Sequence, residues 1–91
     1  MGSTSRQLTI INKLGLHARA AASLVNLAGQ YTCKIAVKCN GQDANAKSIM
    51  SVMMLAATKG TDIEIVTDGD DGTEALDAVC ELIYDRFGEA E

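Results

Sequence analysis

The chain has 91 residues, room for one domain around one core. Hydrophobic residues make up 47% of it and aromatics only 3%, so that core must be assembled from Leu, Ile, Val, Ala and Met. A net charge of −4 with scattered basic residues disfavours a nucleic-acid partner, and one His with three unclustered cysteines offers no metal-ligand set.

Residues 1–5 carry no pattern and are expected to form a flexible leader to a single domain spanning 1–91. Arg6 to Ile11 is rich in β-favouring residues and reads as a strand, which Asn12-Lys13-Leu14-Gly15-Leu16 interrupts. From Ala18 to Ala28 the apolar residues Ala21, Leu24, Val25 and Ala28 recur at i, i+3, i+4 and i+7, the spacing of an amphipathic helix, with Gly29 at its end. Cys33 to Cys39 alternates as a half-buried strand does. Asn40-Gly41 follows at once and signals a hairpin, because both central positions of a type I′ turn need positive φ. The returning strand, Gln42 to Ala46, is inferred mostly from that turn. Ser48 to Ala57 reads as a short helix and Asp62 to Asp68 as a fourth strand. Leu76, Val79, Cys80, Ile83 and Phe87 mark one face of a long last helix, with Asp71 and Glu74 spaced as a capping pair at its start. Four half-apolar strands and three amphipathic helices predict two layers, with the helices over one face of a sheet. No stretch approaches the roughly 20 apolar residues of a membrane span. Unpaired Cys33, Cys39 and Cys80 suit a reducing, cytoplasmic setting, and nothing in the pattern calls for more than a monomer.

The single histidine, His17, precedes the first helix. Alone, such a residue is more often solvated or capping than reactive. Its neighbours change the weighing. The first N–H groups of a helix lack intrahelical partners and form an anion site, whose positive field disfavours an imidazolium. Arg19 can set a guanidinium beside an anion there, and Gly15 lets the chain turn tightly before it. That constellation suits a phosphoryl group carried on an imidazole nitrogen, with no cofactor required. In the second helix Val52 and Leu55 are expected to face the sheet, leaving Ile49, Met50 and Met53 as an apolar docking surface with Ala20 at its edge. Ser48 is placed to cap that helix. A non-catalytic interaction module, with His17 as bystander or anion sensor, is the competing reading.

Gly15-Leu16-His17-Ala18-Arg19, Lys47-Ser48-Ile49-Met50 and Lys59-Gly60, in register over residues 6–87, resemble the HPr family of histidine-containing phosphocarriers. That family serves the bacterial phosphoenolpyruvate-dependent phosphotransferase system. The resemblance implies an α+β open-faced sandwich, a four-stranded antiparallel sheet covered on one side by three helices. It implies that enzyme I phosphorylates His17, that Arg19 pairs with the phosphate, and that a IIA protein or domain takes it on for sugar uptake. The carrier would be consumed and regenerated stoichiometrically, a substrate of enzymes and not itself an enzyme. Apolar residues beside the histidine would dock donor and acceptor, and a regulatory HPr kinase/phosphorylase would act on Ser48. The segment from Asn12 to Arg19 is similar also to the nitrogen-related branch, whose relay ends in regulation without sugar uptake. The family usually has proline directly after the arginine; Ala20 stands there here and restores a backbone N–H.

Overall fold

Alternating buried and less buried positions along the two central strands leave one face of the sheet to be covered, and the amphipathic helices cover it. The computed structural model describes residues 2–91. Its elements are β1 (Ser3–Thr9), α1 (Ala18–Ala28), β2 (Lys34–Cys39), β3 (Gln42–Asn45), α2 (Ile49–Met54), β4 (Asp62–Asp68) and α3 (Gly72–Tyr84), then a 3₁₀ turn at Arg86–Gly88. The strands form one antiparallel sheet in the order β1-β4-β2-β3. Leu8 pairs with Ile63, and Ile65 with Val37, which in turn faces Ala44, so a buried apolar band crosses one side of the sheet. Lys38 pairs with Glu64 and Asp43 on the other side, which no helix covers. This is the α+β open-faced sandwich that the resemblance implies.

Asn40 (φ 50°) and Gly41 (φ 80°) make the hairpin turn, with Cys39 opposite Gln42. Cys33, Cys39 and Cys80 are free thiols within the core.

Four expectations need correction. Met1 lies outside the described residues, but Ser3 to Ser5 belong to β1 and pair with Val66 to Asp68, so most of the expected leader is strand. Backbone groups make those bonds, so a polar Ser-Thr-Ser run suffices wherever β4 is long enough to receive it. The second helix is shorter than 48–57. Leu55 and Ala56 donate three residues back, to Val52 O and Met53 O, and Ala56 then turns left-handed (φ 51°). Asp71 does not cap α3 with its side chain. Its carboxylate instead accepts from the N–H groups of Thr32 (2.8 Å) and Cys33 (2.9 Å), tying the α1–β2 loop to the start of α3. Phe87 lies past the end of α3, buried from the 3₁₀ turn.

Candidate functional site around His17

At His17 the β1–α1 loop and the first turn of α1, contiguous in sequence, meet the remote tail after the 3₁₀ turn. His17 is the N-cap residue of α1, with extended backbone (φ −73°, ψ 179°) and no side-chain capping bond. The first helical N–H with a partner is that of Ala21, on His17 O at 2.8 Å; those of Ala18, Arg19 and Ala20 have none among the described residues. Three amide donors and the positive helix end therefore flank the imidazole. A proline at position 20 would remove the third.

The loop is held in place by the α2–β4 connection. Leu16 N–H donates to Ala57 O at 2.9 Å, and Gly15 (φ +66°) lies so close that a Cβ would sit 2.8 Å from Thr58 Cα. Gly15 thus makes the tight turn expected of it, and glycine is needed there also because two backbones touch.

A cleft of about 600 Å3 opens beside the ring, lined by Lys13, Leu14, His17, Ala18, Arg19, Glu89 and Glu91. Lys13 is engaged with the tail, its N–H donating to Glu91 O at 2.6 Å and its ammonium 3.2 Å from Glu91 Oε1. Arg19 forms no ion pair among the described residues, so its guanidinium is the available cation in the cleft. His17 Nε2 lies 2.5 Å from Glu89 Oε2, while Nδ1 has no hydrogen-bond partner among the described residues. Asn12, fully buried, donates through Nδ2 both to Gly15 O (2.8 Å) and to Glu89 Oε1 (3.0 Å). The Asn12 amide, followed by the imidazole of His17 and the charge of Arg19, holds the Glu89 carboxyl below the usual carboxylate range. Among the described residues no group of three or more His, Cys, Asp or Glu is placed to hold a metal, and no helix is long and apolar enough to cross a membrane.

His17 and Arg19 therefore share one cleft, and Ile49, Met50 and Met53 are exposed on α2. Val52 and Leu55 are buried, on the core side of that helix. Ala20 is a correction: it is fully buried, because it lies four residues before Leu24 on the inward face of α1, and so it is no part of a docking surface. Ser48 is the N-cap of α2, its Oγ accepting from Ser51 N–H at 3.4 Å. Leu14 and Met54 are more exposed than Ile49, yet the sequence pattern did not single them out. No sequence pattern marks Asn12 or Glu89 as site residues. Asn12 sits in an unpatterned loop, and Glu89 is 72 residues from the ring it touches, so no local spacing could have joined them.

A family model described as the PTS HPr component phosphorylation site matches residues 4–85. A phosphocarrier protein HPr from Cupriavidus necator is 55% identical over 86 residues, covering 94% of this chain and 97% of that protein. A phosphocarrier protein NPr from Shewanella violacea is 41% identical over 90 residues, covering 99% of each. The crystal structure of HPr-C-His from Thermoanaerobacter tengcongensis matches this fold with a TM-score of 0.93 and 39% identity, over 97% of this chain and 99% of that one.

Proposed function

The chain belongs to the HPr family of phosphocarriers, and from that premise we propose that it accepts a phosphoryl group on His17 from enzyme I and passes it to a IIA protein or domain. It works in the cytoplasm as a stoichiometric intermediate, consumed and regenerated and turning over no substrate of its own. One observation carries the reading: a ring with one nitrogen engaged by Glu89 and the other without a partner, beside three unpaired helix N–H groups and the cation of Arg19. Nδ1 is the nitrogen that takes the phosphoryl group. Its oxygens meet the amides of Ala18, Arg19 and Ala20, and the Arg19 guanidinium pairs with their charge. The apolar side chains of Ile49, Met50, Met53 and Met54, with Leu14 beside the ring, dock donor and acceptor in turn. A phosphate on Ser48 would bring about two negative charges to the edge of that surface, so a kinase acting there would weaken docking to acidic partners.

A role in the nitrogen-related branch is the second reading, supported by the likeness to a protein named NPr. Purified IIA proteins of the two branches, offered the phosphorylated chain, distinguish them by which one takes the label.

Enzyme I, magnesium and labelled phosphoenolpyruvate should label the wild type and leave His17→Ala unlabelled, the label surviving alkali and leaving in acid. A folded wild type that takes no label from an active enzyme I would refute the carrier reading and leave an interaction module in its place.

A further inference from the structure

We propose that Asn12 is a positioning residue that acts through Glu89: it holds the tail carboxylate on His17 Nε2, so that the proton stays on that nitrogen throughout the transfer cycle. The inference rests on the reading of His17 as phosphoryl carrier and adds to it two residues that lie outside the motif. Asn12 is completely buried, and its two amide hydrogens divide between Gly15 O, in the loop leading to His17, and Glu89 Oε1, in the tail. Its Oδ1 meets no partner among the described residues, so whatever the amide contributes, it contributes through Nδ2. Glu89 spans the gap with both oxygens, Oε1 on Asn12 at 3.0 Å and Oε2 on His17 Nε2 at 2.5 Å. Loop, tail and ring are thereby joined through two side chains.

The backbone that delivers Glu89 is unusual. Arg86 (φ 56°) and Phe87 (φ 57°) are both left-handed, a conformation that side chains with Cβ resist, and buried Phe87 anchors the turn against the core. The turn sends the chain back over the β1–α1 loop, where Lys13 N–H holds Glu91 O. Strain of this kind persists only where surrounding contacts over-determine it, and here those contacts lead to His17.

The chemistry that follows is simple. With a proton on Nε2, the lone pair on Nδ1 attacks phosphorus; the Nδ1–P bond forms and the bond from phosphorus to the donor's leaving atom breaks, its electron pair staying with the donor. The ring now carries positive charge, which the Glu89 carboxylate faces directly. When an acceptor attacks, the P–Nδ1 bond breaks, its electrons return to Nδ1, and the ring leaves neutral with its Nε2 proton still in place. No proton has to move in either half. The other charged groups lining the cleft are Arg19 on α1, Lys13 in the loop and Glu91 in the tail.

His17 is the chain's only histidine, so its ring N–H can be observed alone by proton NMR. Wild type should show a downfield Nε2–H resonance protected from exchange, and Asn12→Ala and Glu89→Ala should each lose that protection. In transfer from enzyme I each single variant should lower kcat/KM about tenfold, the double variant no further, since the two act through one contact. A protected resonance that survives Asn12→Ala, or losses that multiply in the double variant, overturns the relay. If Asn12→Ala does not fold, Glu89→Ala, at a tail position outside the apolar core, carries the test alone: retained protection and unaltered kcat/KM overturn it. The carrier reading fails separately, by absence of label on wild-type His17, and the resonance reads the relay whether or not transfer occurs.

Discussion

At the scale of single residues, the site depends on one place where two loops touch. Gly15 is left-handed at φ +66°, and any Cβ added there collides with the backbone at Ala57 and Thr58. Neither side can give easily, because Leu16 N–H is bonded to Ala57 O at 2.9 Å in the same contact. Gly15→Ala therefore combines a left-handed alanine with overpacking against backbone and should cost about 2–4 kcal/mol. A urea transition with unchanged slope and a lower midpoint would report it, and an unshifted midpoint would show that the loop yields. Because His17 follows two residues later, phosphoryl acceptance should fall in the same variant even where it remains folded. The place of Gly15 and His17 just before a helix is legible in the sequence. The close contact at Gly15 is not, since Ala57 is its neighbour only in space.

Among elements, the periodic ones are legible in the sequence, and the structure differs from the pattern at their ends. α1 and β4 run over the residues expected, Ala18–Ala28 and Asp62–Asp68, because their patterns are long and their neighbours agree with them. Ala21 is buried as its spacing predicts, and the inward face begins one residue earlier, at Ala20, four before Leu24. α2 has six residues, too few for a pattern to fix its limits, and its N-terminal signal was the serine. That serine should matter measurably. Ser48 Oγ accepts from Ser51 N–H at 3.4 Å, a long bond, so Ser48→Ala should cost about 0.5–1 kcal/mol, the lower part of the range for lost N-caps. Chemical denaturation resolves a change of that size. A loss well above 2 kcal/mol would mean that the hydroxyl supports more than the cap, and the reading of Ser48 as a site that a kinase can modify without unfolding α2 would weaken.

At the scale of the molecule, contacts that close the fold join residues that no local window contains. Glu89 reaches His17 across 72 positions, and Asp71 reaches Thr32 across 39. The spacing of Asp71 to Glu74 is that of a helix cap, but the α1–β2 loop, folded against the start of α3, supplies the donors that its carboxylate takes. The N–H of Thr32 above all, with the groups of Cys33 and the Thr32 hydroxyl, lowers the Asp71 carboxyl to about 2. In an unfolded chain the same group titrates near 3.9. Between those values the folded protein binds fewer protons than the unfolded one, so the contribution of this clamp is complete above the unfolded pKa and is lost as pH falls towards about 2. Acid acts on the whole chain, so wild type alone does not isolate the clamp. Asp71→Asn does, since it stays neutral throughout and keeps the shape of the side chain. The wild-type urea midpoint should exceed that of Asp71→Asn by a constant margin above about pH 5, and the margin should close as acid protonates the one carboxylate that distinguishes the two chains. Two acid limbs that run parallel down to pH 2 would place the stabilising effect of Asp71 in its shape and not its charge, and the clamp would then be no more than a turn.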